Sequence, residues 1–174
     1  MPFPRFATTF ACLAVAAHSL LLAGCYRYQL TNPTTPPVSA FGETPENGAQ
    51  ICVYRPGVLA GAVTFVVRDN GKLVGATRGA SYFCYVAEVG DHELTAEADE
   101  TAHAKITAQA GARYHLEQVP VNLFGYVKTE LNWVDEPTAR TLVSQCDYEV
   151  LSGVPGEETL PQAVPFAPAR AATR

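Results

Sequence analysis

The groups in this chain best equipped for chemistry are its thiols, imidazoles and clustered aromatic rings. Cysteines stand at positions 12, 25, 52, 84 and 146, and histidines at 18, 92, 103 and 115. A catalytic thiol needs a neighbour that lowers its pKa, and neither Cys52, Cys84 nor Cys146 carries such a local signature. His103 and His115 fall on polar strand positions, and with Glu117 they would make a metal-ligand set. The HxxxH and CxxC intervals of zinc sites are absent, so a solvated face is expected there. His92 shares a strand face with Leu94 and is expected to be hydrogen-bonded beside a hairpin turn. No Gly-x-Ser-x-Gly elbow or phosphate loop occurs. No catalytic residue, metal or cofactor is therefore expected.

The run Tyr82-Phe83-Cys84-Tyr85 concentrates aromatic rings. In a strand it puts Tyr82 on one face and Phe83 and Tyr85 on the other. Core packing or cover by a helix is the expectation for these rings. The sharper alternative is a ligand patch of Arg55, Tyr82 and Tyr85 for a glycan or peptide, by analogy with aromatic-lined binding sites.

One cysteine carries a more specific signal. Residues 1–24 have the parts of an export signal: Arg5 near the start, an apolar stretch from Phe10 to Ala17, and a small-residue finish. The finish, Leu22-Ala23-Gly24-Cys25, resembles the bacterial lipobox, the cleavage site of the lipoprotein signal peptidase. That resemblance implies a diacylglyceryl group on the thiol of Cys25 and a mature chain that begins there. An uncleaved membrane helix is the competing reading, and Thr8, Thr9, His18 and Ser19 dilute the apolar run. At about 0.8 kcal/mol per buried methylene, two or more acyl chains hold stably where one is marginal. The expected partner is thus membrane lipid, reached through acylated Cys25.

Charge narrows the partners further. The formal net charge is -5 and becomes -6 once the leader removes Arg5. Nucleic-acid binding needs clustered Lys and Arg, so no nucleic-acid partner is expected, nor electrostatic adhesion to anionic lipid. Three thiols remain after Cys12 and Cys25 are set aside. In an oxidising compartment two of them pair. Several pairings are open, and Cys84 with Cys146 is preferred because it would clamp a helix to the sheet, leaving Cys52 as a buried thiol.

The elements that position these groups read as strands. Residues 25–48 are rich in Pro and Thr and are expected to form a lipidated extended tether. Residues 153–174, rich in Pro and Ala, are expected to be a disordered tail. Between them, residues 49–152 alternate with period two. Asn70-Gly71 between β-rich runs predicts a hairpin. Further hairpins are predicted around Gly90-Asp91 and Gly111. Asp135, Glu136 and Pro137 predict a helix start, with Leu142, Val143 and Cys146 on one face. The expected fold is all-β, an antiparallel β-sandwich with one short C-terminal helix.

Several of these motifs together are similar to an uncharacterised domain-of-unknown-function family of bacterial envelope lipoproteins. They are Ile51-Cys52-Val53-Tyr54-Arg55-Pro56-Gly57, the Asn70-Gly71 hairpin, Tyr82-Phe83 with Val89-Gly90-Asp91-His92, and Ala110-Gly111 leading to Tyr114. The likeness covers residues 49–134, and the middle hairpins also resemble PEGA-type β-sandwich modules. It implies a fold and an envelope location, without an activity. The function expected is that of a non-catalytic, membrane-anchored structural or protein-interaction module, with glycan or peptide binding as the alternative. Tyr26 in place of an Asp after Cys25 leans toward the outer membrane, facing the periplasm.

Overall fold

The computed structural model describes residues 28–33 and 40–151. In chain order the elements are β1 (Leu30–Thr31), β2 (Ala49–Arg55), β3 (Thr64–Asp69), β4 (Lys72–Arg78), β5 (Ser81–Ala87) and β6 (Gly90–Glu97). They continue with β7 (Thr101–Ala108), β8 (Arg113–Leu123), β9 (Tyr126–Val134), helix α1 (Glu136–Val143), β10 (Asp147–Tyr148) and β11 (Val150–Leu151). One sheet runs β10-β5-β2-β8-β9 and the other β4-β3-β6-β7, with β1 and β11 as a small separate pair. The fold is all-β and sandwich-like with one short helix. Most pairs are antiparallel, while β2–β8 and β10–β5 are parallel.

The strands form because alternate side chains have an apolar core to enter. Ile51, Val53, Val67, Phe83, Tyr85, Leu94, Ala96, Ala104 and Leu116 meet between the two sheets. Gly75 is required by this packing, since a Cβ there would stand 2.5 Å from the ring of Phe83. The larger sheet is buried on both faces at β2 and β5, where Cys52, Tyr54, Tyr82 and Cys84 point outward under Ala139 and Leu142 of α1. That double burial explains why all of β2 is buried and why Ile51 to Tyr54 is a continuous apolar run. Asp135 caps α1 as expected, accepting from the Thr138 amide at 3.0 Å.

Two predicted hairpins are corrected. The β3–β4 hairpin at Asn70-Gly71 forms, but β5 and β6 lie in different sheets, and so do β7 and β8. At 88–89 and 109–112 the chain crosses from one sheet to the other. Period two reports which face of a strand is buried, and facing strands across a core bury the same face as neighbours within a sheet. The hairpins present instead are β6–β7 and β8–β9.

The described part of the expected tether is also docked rather than extended. Leu30 pairs with Leu151 and packs with Val66, Leu73 and Ala76 on the outer face of the smaller sheet. Ala40 is buried, and Phe41 lies under the Arg140 guanidinium, 4.2 Å from its carbon. Cys25, the leader at 1–24 and the tail at 153–174 lie outside the described residues.

Candidate functional site

The inward rows of the strands end in polar residues at both ends of the core. At one end, β3 runs Phe65, Val67, Asp69 and β6 begins its inward row with His92 before Leu94. Asp69 and His92 meet there: Nδ1 of His92 lies 2.7 and 2.8 Å from the two carboxylate oxygens. The Tyr85 hydroxyl donates to Asp69 at 2.9 Å, and burial together with the Asp69 charge holds the Tyr85 phenol well above its ordinary pKa. Nε2 of His92 lies 2.9 Å from the Glu88 carbonyl. Both imidazole nitrogens thus face protein acceptors rather than the groove. Above this cluster an open groove of about 540 Å³ is lined by Asn70, Asp91, His92, Glu93, Lys105 and Thr107. Its charges are already paired, with Thr107 donating to Asp91 at 2.6 Å and Glu93 facing both His103 and Lys105.

At the other end Arg55 closes the core. It is fully buried, and its guanidinium donates to four carbonyls: Val63 at 2.8 Å, Thr77 at 3.3 Å, Leu59 at 3.0 Å and Ala60 at 2.7 Å. The Phe65 ring lies 4.5 Å beneath it. Burial lowers its pKa to about 10. The fork of fixed donors therefore staples the 57–63 loop onto the end of the sandwich. Beside it, the Thr77 hydroxyl donates to Gln118 at 2.5 Å.

On the outer face of the larger sheet, Tyr54 and Nδ1 of His115 share a hydrogen bond of 2.9 Å. His115 is buried against Phe41, which corrects the solvated face expected for it. Burial, reinforced by the Arg113 charge, lowers its pKa to about 4. Cys52 and Cys84 form a disulfide across β2 and β5. The expected Cys84–Cys146 bond is therefore corrected: Cys146 is a free thiol, and its partial burial raises its pKa to about 11. The helix is held to the sheet by packing, with Cys146 against that cluster.

The proposed patch of Arg55, Tyr82 and Tyr85 is not assembled. Tyr85 faces the core and Tyr82 faces away, covered by Tyr148 at 5.2 Å, while Arg55 is occupied by loop carbonyls. All three are buried. His103 is exposed on the smaller sheet while His115 and Glu117 belong to the larger one. Among the described residues no group of three or more His, Cys, Asp or Glu is placed to hold a metal, and no helix is long and apolar enough to cross a membrane. Sequence reading passed over Asp69, although its inward parity with Phe65 and Val67 was a usable signal. No protein-family model, no curated protein and no solved structure matches this chain.

Proposed function

We propose that this chain is a non-catalytic lipoprotein of the bacterial cell envelope, lipid-anchored through Cys25 and serving as a structural or protein-interaction module. The observation that carries this reading is Leu22-Ala23-Gly24-Cys25 closing an apolar leader. Two features support it. The Cys52–Cys84 disulfide suits an oxidising compartment. Both ring nitrogens of His92 and both terminal nitrogens of the Arg55 guanidinium are held by protein acceptors, although Arg55 Nε is buried without a partner. The outer membrane, facing the periplasm, is the location this reading takes, and the lipoprotein family likeness belongs to the same proposal.

Intact mass of the protein extracted from bacterial membranes tests it. The wild type is expected to begin at Cys25 with the added mass of acyl chains, and Cys25→Ala to lack both. A wild-type chain with an unmodified Cys25 overturns the reading. Crosslinking in intact cells, wild type against Cys25→Ala, then reports partners that need the anchor.

A second reading, binding of a polar ligand such as a glycan or peptide, moves from the aromatic patch to the groove beside Asn70, Asp91 and Lys105. Its volume falls within the range of small-ligand sites. Chemical-shift changes confined to those residues on adding oligosaccharide would favour it.

A further inference from the structure

Two hairpins in this molecule use the same two-residue turn with opposite chemistry. Between Asp69 and Lys72 the turn is Asn70-Gly71, with φ of 48° and 81°. Between Leu123 and Tyr126 it is Phe124-Gly125, with φ of 54° and 90°. Positive φ at both central residues is what a type I′ turn requires, and Asn is favoured at the first of them because its side chain tolerates that region. Phe has no such compensation. Phe124 is also fully exposed, at 109% of its reference area, with Tyr126 beside it at 45%. The sequence thus places a bulky apolar ring where both local backbone preference and solvation oppose it. Such local conflicts collect at functional positions.

The surroundings say what the ring meets. β2 and β8 run parallel, so the 57–63 loop and the β8–β9 turn leave by the same end of the sandwich. That end carries Val58 at 79% and Leu59 at 55% exposure, on the loop that Arg55 holds rigid. The hairpin is tied to the body at Val127, whose amide donates to Asp99 Oδ2 at 2.7 Å, and at Tyr126, whose hydroxyl donates to the Asp99 carbonyl at 3.4 Å, so that Phe124 and Gly125 lie beyond both ties while the Tyr126 ring flanks them. Charges at this end are Asp99, Glu100 and Glu130 on the acidic side and Lys128 with Arg78, opposite Thr64, on the basic side, which form no basic cluster. An aromatic apex without a basic cluster suits the interfacial zone of a neutral bilayer better than anionic lipid. From Leu30 back to Cys25 five residues span at most about 18 Å. β1 lies over β3 and β4, so an anchor at Cys25 keeps this face of the sandwich within about that distance of the bilayer.

We propose that the β8–β9 turn, with Phe124 at its apex and Tyr126 beside it, docks into the interfacial zone of a zwitterionic phospholipid bilayer and orients the domain on its membrane. The choice of bilayer as occupant rests on the lipid-anchor reading given above. The anchor makes docking intramolecular, so a few apolar side chains suffice to hold the orientation.

The test uses the full chain, isolated from membranes and reconstituted into phosphatidylcholine vesicles with or without brominated acyl chains. In Phe124→Trp the introduced indole is expected to lose most of its emission to the brominated lipid. In Phe124→Asn the sole indole is that of Trp133, whose N–H donates to the Lys105 carbonyl, and it is expected to keep its emission. Phe124→Asn is also expected to unfold at higher urea concentration than wild type, because Asn relieves the turn; a lower midpoint would show that the fold itself needs Phe124 and overturn the proposal. Intact mass at Cys25 is read on the same samples. If the Phe124→Trp protein is acylated and its introduced indole is quenched no more than Trp133, the docking is overturned and the anchor stands. If that protein is unacylated and its introduced indole is quenched, the anchor is overturned and the docking stands. A protein that neither carries acyl chains nor associates with the vesicles overturns both.

Discussion

Cys52 and Cys84 stand directly opposite each other on adjacent strands, with Cα atoms 4.0 Å apart and their sulfurs bonded. The bond closes a segment of separation 32 that contains β3 and β4, so it fixes where the smaller sheet begins relative to the larger one. Chain-entropy arguments put such a closure at about 4 kcal/mol. Cys52→Ala with Cys84→Ala is expected to lower the urea unfolding midpoint accordingly, and Cys146→Ala to leave it nearly unchanged. Peptide mapping without reductant should recover residues 52 and 84 linked and Cys146 alkylated. A linked peptide containing Cys146 would refute the pairing.

Removing one member of the Asp69–His92 pair leaves the other buried without its partner. His92→Leu is expected to cost about 3 kcal/mol of stability, since a buried carboxylate then keeps only the Tyr85 hydroxyl. Asp69→Leu combined with His92→Leu should recover part of that loss. Chemical denaturation of the two singles and the double measures the coupling, and strictly additive losses would argue against a shared cluster.

Arg55→Lys keeps a charge but loses the fork that reaches four carbonyls. The expected result is a loss of about 2 kcal/mol and, more tellingly, a loosened 57–63 loop. Limited proteolysis at Val58 and Leu59 should accelerate in the variant while cleavage elsewhere does not.

His115 makes stability depend on pH in a definite direction. Its folded pKa is depressed to about 4, against an ordinary value near 6.5. Between those values the unfolded chain binds the extra proton, so the stabilisation is complete above about pH 6.5 and is lost as pH falls toward 4. The guanidiniums of Arg113 and Arg140 reinforce this, while Glu136 opposes it. Urea midpoints at pH 7.5 and 5 should differ more for wild type than for His115→Asn; an equal difference would remove His115 from the account.

What could be read from the sequence was what lies within a few residues. The Asn70-Gly71 hairpin, the Asp135 cap and the face shared by His92 and Leu94 follow from turn chemistry and alternation, and all three are present. Pairing between distant segments was not legible. His115 sits at a polar-looking strand position, but α1 and Phe41 cover it, and nothing within ten residues announces either neighbour. The preference for Cys84–Cys146 failed for the same reason, because the choice depends on β2 lying beside β5. Arg55 reads from the sequence as a ligand contact beside Tyr82 and Tyr85; only the returning loop reveals its carbonyl partners.

The pairing of β1 with β11 joins two of the most widely separated segments described, Thr31 and Val150 lying 119 positions apart. A chain made from its N-terminus presents Leu30 early and Leu151 late, and loop closure over that span carries a larger entropic cost than any hairpin. The outer face of the smaller sheet, with Val66, Leu73 and Ala76, is therefore fully covered only once β11 has paired with β1. Within this molecule, that seam closes the fold by joining its first described strand to its last.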